Sequence, residues 1–180
     1  MKQISRLLVL SFLASPLSSQ AAPKIVLDAR IDEAIEEFYD YSAAGKRLAD
    51  KAAGMLVFPN VGKAGFGLGG EYGEGALIID GKKVQYYSTA AASVGFQIGV
   101  QTRRQIILFM EKADLESFRT SKGWEIGADG SVAIATLGAG GEIETKTLNQ
   151  PIVAFIFGNK GLMANLSLEG SKITKIEKRK

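Results

Sequence analysis

The sequence has 180 residues and a formal net charge of +3, and it contains neither cysteine nor histidine. Their absence excludes disulfides, cysteine nucleophiles, histidine-based catalytic triads and imidazole metal sites. With 46% hydrophobic residues, the chain has the composition of an ordinary globular protein, and its length suits one domain. Its stability must therefore come from a packed core.

The first 22 residues have the pattern of a secretory signal peptide. Two basic residues precede an apolar run over residues 7–17, and small residues follow it. The run is shorter than the about 20 residues that cross a bilayer. We therefore expect cleavage near Ala21 or Ala22, which leaves residues 23–180 as a single domain. This domain is expected in the periplasm or outside the cell, soluble or peripheral on a membrane.

Apolar spacing predicts two helices at the start of this domain. Residues 25–42 place apolar side chains three or four positions apart, which is typical of one buried helix face. Residues 28–40 also carry six carboxylates against one arginine, so the opposite face is strongly acidic. A shorter helix is predicted over residues 42–53, after a break at Gly45 and ending at Gly54.

After these helices the pattern alternates with period two, which indicates strands. Asp80-Gly81-Lys82 predicts a tight hairpin turn, and Lys112–Thr120 a short helix. We predict an α+β fold with two N-terminal helices packed on a strongly curved or closed, mainly antiparallel sheet of seven to nine strands, with one short helical insertion. The predicted strands include Met55–Phe58, which ends at Pro59-Asn60, and Ala76–Ile79, Lys83–Tyr87, Ser93–Gln101, Gln105–Met110, Ile152–Phe157 and Leu162–Leu168.

A glycine-rich stretch over residues 62–75 is predicted to be a strand with one bare face. Although it spells G-x-G-x-x-G, it alternates with apolar residues and opens no helix, which argues against a dinucleotide loop. Glycine inside a strand marks close approach by a backbone or a ligand. We expect close packing against the protein's own helix or strand, or alternatively a pocket for a small apolar ligand. The residues assigned to this face are Gly65, Gly67, Gly69, Gln97 and Gln101.

Basic residues stand at predicted strand connections and in a C-terminal tail, where residues 172–180 hold five basic residues against one acid. They form no concentrated stripe with aromatic residues, which argues against nucleic acid as a partner. They are candidates for contact with an anionic surface, or alternatively are solubilising turn charges followed by a solvated, fraying tail. The candidate contacts are Lys82, Lys83, Arg103, Arg104, Lys160, Lys172 and Lys175.

Glu71 and Glu74 flank the glycines and raise the question of an acid–base pair for glycoside chemistry. We interpret them as exposed turn carboxylates. No enzymatic activity, metal or cofactor is expected.

Several motifs together resemble one known family. Residues Gly161–Gly170 read GLMANLSLEG, and glycine-containing motifs occur at 65–70, 95–101 and 127–129. Over about residues 43–170, the chain resembles the SYLF domain family of lipid-binding proteins. The resemblance implies a non-enzymatic domain that binds anionic lipids. Eukaryotic members bind phosphoinositides, one branch also binds and bundles actin, and bacterial members are typically exported.

The chain departs from this family in two places. Eukaryotic members use a basic amphipathic N-terminal helix on membranes, whereas residues 28–40 are acidic here and would be repelled by an anionic bilayer. Tyr87-Ser88-Thr89-Ala90 stands where the family has Trp-Ser-x-Pro. The resemblance therefore carries over the lipid class, but neither the particular ligand nor the actin activity. The resulting hypothesis is a periplasmic protein that binds anionic phospholipid or a membrane surface; the alternatives are a carrier of a small apolar ligand and a structural interaction protein of the cell envelope.

Overall fold

The computed structural model describes residues 23–135, 143, 147, 149–158, 161–162 and 167–178. Within these ranges, the side chains of residues 64–68, 93–101 and 161–162 are outside the description.

Helices α1 (Lys24–Tyr41) and α2 (Ala43–Ala49) begin the described chain. The Ser42 hydroxyl accepts a hydrogen bond from the Gly45 amide at 2.8 Å and caps α2. Gly45 lies within α2. Its lack of a side chain lets α2 pack closely on α1, because a Cβ at this position would lie 2.5 Å from the Phe38 ring. The predicted break at Gly45 is wrong, and Gly54 begins a strand instead of ending a helix.

Two very long strands, β1 (Gly54–Ile79) and β2 (Lys82–Phe109), form an antiparallel ribbon. Asp80 and Gly81 both have positive φ, 49° and 71°, which confirms the predicted tight turn between the strands. The separate short strands that the sequence predicted between residues 55 and 110 are therefore segments of these two.

The two predicted interruptions of this ribbon are wrong for local reasons. Pro59-Asn60 lies at a bulge between Phe58 and Val61, where the ladder tolerates a residue without an N–H. Arg103-Arg104 is part of β2 and not an exposed connection, because the ladder runs through both residues.

The ribbon folds back on itself. A Cβ at Gly75 would lie 2.0 Å from the Val57 carbonyl oxygen, and one at Gly73 would lie 2.8 Å from that of Asn60. The second half of β1 therefore crosses its own first half at backbone distance.

Shorter elements complete the sheet around β2. Its second half pairs with β5 (Ile152–Gly158), and its first half pairs with β7 (Lys172–Ile176). The helix α3 (Lys112–Thr120) has the predicted bounds. The remaining strands are β3 (Trp124–Glu125) beside β7, β4 (Ala133–Ile134) parallel to β5, and β6 (Gly161–Leu162) antiparallel to β5. Within the described residues, three helices and a seven-stranded mixed sheet in a half-barrel confirm the predicted α+β fold.

Two hydrophobic clusters lie on opposite faces of this sheet. One cluster includes Phe118 of α3, whose ring centroid is 4.8 Å from those of Tyr87 and Phe109. The other lies under α1 and α2, where Phe38 and Phe155 have ring centroids 4.7 Å apart. None of the helices in the described part of the chain combines the length and apolarity needed to cross a bilayer.

The C-terminal residues are also part of the sheet. Ile173 of β7 is 1% exposed and opposes Trp124 of β3. The solvated, fraying tail that composition allowed is therefore wrong for residues 172–176, because the alternating isoleucine enters the core. For the predicted strand Leu162–Leu168, β6 includes the first residue, and residues 163–166 are outside the described ranges.

Candidate functional site

The acidic face of α1 lies against basic residues of β2. The carboxylates of Glu37 and Glu33 approach the Arg104 guanidinium at 2.9 and 3.2 Å. The Lys83 ammonium approaches Asp32 at 2.5 Å. The sequence showed the acids but not their partners, which are 51 and 71 positions away along the chain. The fold thus neutralises part of the charge that would repel an anionic bilayer.

Asp28 anchors the first turns of α1 to the same strand. Its carboxylate accepts hydrogen bonds from the Lys24 ammonium at 2.8 Å and the Tyr86 hydroxyl at 2.7 Å. Burial is the largest influence on the pKa of Asp28 and raises it, but the two hydrogen bonds and nearby positive charge outweigh burial and lower this pKa below 3.8. The hydrogen bonds with Asp28 and Tyr86 in turn raise the pKa of Lys24 to about 12.

Two nearly buried glutamates of β1 pair with basic residues, one within the ribbon and one after β7. Glu71 lies 2.5 Å from Arg103 and 3.5 Å from Lys63, and its side chain is 11% exposed. Glu74 lies 2.6 Å from Lys178, with side chains 11% and 6% exposed. The interpretation as exposed turn carboxylates is wrong, because both glutamates lie within β1 and each is paired and nearly buried. In the described part of the chain, no three acidic side chains are grouped so that they could hold a metal ion.

The two candidate lysines of the C-terminal segment lie on β7 and are exposed. The Lys175 ammonium donates a hydrogen bond to the Arg119 carbonyl oxygen at 2.5 Å, at the end of α3. This geometry suits the negative end of a helix dipole. The Lys172 side chain passes over Gly123, where a Cβ would lie 3.1 Å from its Cε. Both lysines therefore lie near the end of α3, although they are three positions apart in β7 and leave the strand on opposite faces.

The exposed cations around this junction are here named the α3–β7 patch and are Arg119, Lys122, Lys172 and Lys175. Glu116 pairs with Arg119 at 2.7 Å, and Glu125 opposes Lys172 in the ladder, so these acids offset part of the charge. Sequence reasoning missed Arg119 and Lys122 as site residues. The sequence showed that the last turn of α3 is basic. Its position beside β7 was not predictable, because it depends on the pairing of β3 with β7.

The remaining predicted residues do not join this patch by any described contact. Lys82 is exposed beside the hairpin turn, and Lys160 is outside the described residues.

The predicted glycine face lies in the middle of the ribbon, where Gly65, Gly67 and Gly69 oppose Gly99, Gly95 and Ser93. The side chains of Gln97 and Gln101 are outside the description. Further along β1, the neighbour that closes over Gly73 and Gly75 is the protein's own backbone.

A small cleft opens beside Arg104, where β1 bulges and β5 ends. Its volume of about 170 Å³ is below the roughly 300–1,000 Å³ of pockets that enclose drug-sized ligands. The cleft suits a small polar group better than a lipid chain. It is lined by Pro59, Asn60, Thr102, Arg103, Arg104 and Gly158.

The α+β half-barrel with its long glycine-rich ribbon defines the class of domain that the sequence motifs indicated. Residues 90–179 match the model of the Ysc84 family, described as "Las17-binding protein actin regulator". The chain belongs to this family, which is the SYLF domain family. It is also 29% identical over 165 residues to Beta cell expansion factor A of Aeromonas veronii, across 87% of this chain and 60% of that protein. The chain thus spans 60% of the length of this curated relative.

Proposed function

We propose that this domain binds anionic phospholipid at a membrane surface of the bacterial cell envelope, without catalysing a reaction. Membership of the SYLF family supports the lipid class. The observation that carries the proposal is the α3–β7 patch, where Lys172 and Lys175 lie exposed beside the basic end of α3. Three other predicted cations, Lys83, Arg103 and Arg104, are engaged by carboxylates.

The charge of the patch suffices for useful but salt-sensitive binding. Each lysine or arginine near an anionic membrane contributes about 1 kcal/mol, so four together contribute at most about 4 kcal/mol, or roughly a thousandfold in affinity. Glu116 and Glu125 reduce this value. Such binding weakens with added salt because ions screen exposed charges.

Flotation with phosphatidylglycerol vesicles, at about 0.05 M and 0.5 M salt, tests the proposal. The variant Lys172→Gln/Lys175→Gln should bind about 30-fold more weakly at low salt, because it removes about 2 kcal/mol of attraction. The matched control is Arg47→Gln/Lys51→Gln, which removes two exposed charges at α2. Circular dichroism confirms that each variant is folded.

Three outcomes would contradict the proposal. They are no vesicle binding by the unmodified protein at low salt, equal binding to neutral phosphatidylcholine vesicles, and equal loss in the two double variants. The last outcome would show that binding depends on the net charge of the protein and not on the position of the patch.

The described interior favours surface binding over a carrier pocket. The cluster beneath α3 is filled by aromatic side chains, and Gly73 and Gly75 are closed by backbone. Native mass spectrometry after gentle purification distinguishes the two functions. A co-purifying apolar ligand would support the carrier instead.

We also propose that the first 22 residues are removed on export and that the mature domain works in the periplasm or outside the cell. The basic start, short apolar run and small residues support this location. Mass spectrometry of the mature protein should find a chain that starts near Ala22. An intact Met1 would contradict it.

A further inference from the structure

Arg104 is one of the residues that line the cleft, and two carboxylates of helix α1 pair with its guanidinium. Nη1 lies 2.9 Å from Glu37, and Nη2 lies 3.2 Å from Glu33. A guanidinium is a planar fork that matches the oxygens of a carboxylate or a phosphate. Neither glutamate lines the cleft, but both bind the guanidinium of Arg104, so an anion that used Arg104 would compete with them for it.

The cleft supplies further polar groups around this fork. Thr102 lies two positions before Arg104 in β2, so the two side chains share one face of the strand. Asn60 has no ladder partner, because it lies in the bulge of β1. Three residues with polar side chains, Asn60, Thr102 and Arg104, are thus among those that line a space of about 170 Å³, which is several times the roughly 30 Å³ of one water.

The two carboxylates on Arg104 differ in how firmly they are held. The Glu33 side chain is 66% exposed and that of Glu37 is 23% exposed. Exposed ion pairs contribute little to stability and are weakened by salt. The Arg103–Glu71 pair, with side chains 10% and 11% exposed, is in contrast enclosed by the fold. An incoming anion can therefore replace Glu33 at Arg104 without opening the core.

We propose that the Thr102–Arg104 cleft is a binding site for a phosphate-type oxyanion, which competes with Glu33 and Glu37 for Arg104. The chemistry is shared by a free phosphate and by the phosphodiester of a lipid headgroup. If the anion is a lipid headgroup, the inference rests on the proposed function and deepens it. The cleft would then be a second contact with the membrane, and the acids of α1 would set its affinity.

Variants of α1 distinguish the effect of breaking the ion pairs of Arg104 from the effect of changing the net charge. Glu33→Gln/Glu37→Gln removes both carboxylate charges from the Arg104 guanidinium. The control Glu36→Gln/Asp40→Asn removes the same charge from two exposed acids of the same helix, which form no ion pair with the described residues. Arg104→Lys keeps the charge but removes the planar fork. The single variant Glu33→Gln, two-thirds exposed, repeats the test with the least effect on folding.

Inorganic phosphate is titrated into each folded variant and followed by amide chemical shifts. Glu33→Gln/Glu37→Gln should bind phosphate about three- to tenfold more tightly than the unmodified protein, the range expected for breaking one or two exposed ion pairs. The control Glu36→Gln/Asp40→Asn should not bind phosphate more tightly. Arg104→Lys, added to Glu33→Gln/Glu37→Gln, should abolish the gain in affinity. Equal tightening in both double variants, or a gain that survives Arg104→Lys, would overturn the site.

Glycerophosphoglycerol and phosphatidylglycerol vesicles identify the source of the anion. If Arg104→Lys weakens both phosphate binding and flotation, the ligand is a lipid headgroup; if it weakens only the soluble probes, the ligand is a free phosphate ester. Arg104-dependent phosphate binding without any vesicle binding would refute the membrane function but still support the oxyanion site. Vesicle binding without Arg104-dependent phosphate binding would refute the site alone.

Discussion

Two glycines of β1 have no room for a side chain, because the same strand crosses them. The nearest atoms to an added Cβ are backbone oxygens, of Val57 for Gly75 and of Asn60 for Gly73. A backbone oxygen cannot swing away as the end of a flexible side chain can. These glycines therefore allow the ribbon to double over and bring Glu71 near Arg103.

Gly75→Ala should destabilise the protein by about 3 kcal/mol or more, at the upper end of the usual cost of overpacking. The new Cβ would lie 2.0 Å from the Val57 oxygen, so the strands must separate. The matched substitution Gly70→Ala places its Cβ 3.7 Å from the nearest atom, an ordinary contact. It should change stability by less than about 1 kcal/mol.

Urea denaturation of both variants measures this difference. Equal effects would show that the two halves of the ribbon do not approach as described.

The glycine pattern over residues 62–75 predicted close approach by another part of the molecule, but not the residues at which it occurs. Alternation of glycine with apolar residues is a local pattern, and it drew attention to Gly65, Gly67 and Gly69. The contact at Gly75 depends on Val57, which is far along the chain. Glu71 was misjudged for the same reason, since its partner Arg103 lies on the other strand of the ribbon.

At the scale of elements, α1 is held by both apolar packing and paired charges. Its buried stripe covers one hydrophobic cluster, while its acids bind cations of β2. The stripe was predictable from spacing. The pairing was not, because the register of helix against strand is set by tertiary contacts.

Asp28→Asn should destabilise the protein more at pH 7 than at about pH 3. The folded-state pKa of Asp28 is lowered, so its contribution to stability is present above its unfolded value of 3.8 and is lost as pH falls through the folded pKa. Urea denaturation at both pH values measures the gap between this variant and the unmodified protein. The gap should narrow in acid.

Asp40→Asn is the control on the same helix, because this acid is exposed. It should change stability little at either pH. A gap for Asp28→Asn that stays constant or widens in acid would contradict the role of its hydrogen bonds with Lys24 and Tyr86.

At the scale of the whole molecule, the ribbon of β1 and β2 organises the fold. Local signals predicted α3 and the turn at Asp80-Gly81 correctly, because each depends on a few adjacent residues. They divided the ribbon at Pro59, since a bulge inside a long strand has the same local sequence as a strand end. They also missed β7, because three of its five residues are polar or charged and its one buried residue is Ile173.

The C-terminal strand completes the half-barrel, so a single apolar residue near the end of the chain should stabilise the whole domain. Ile173→Ala should cost about 2–4 kcal/mol, because Ile173 is 1% exposed and lies in the cluster with Trp124 and Tyr87. Thr174→Ala, at an exposed position, should change stability by less than about 0.5 kcal/mol. Hydrogen exchange should also quicken in residues 86–90, which pair with β7. If both substitutions have small, equal effects, the basic tail is the solvated segment that its composition allowed, and the α3–β7 patch loses its structural basis.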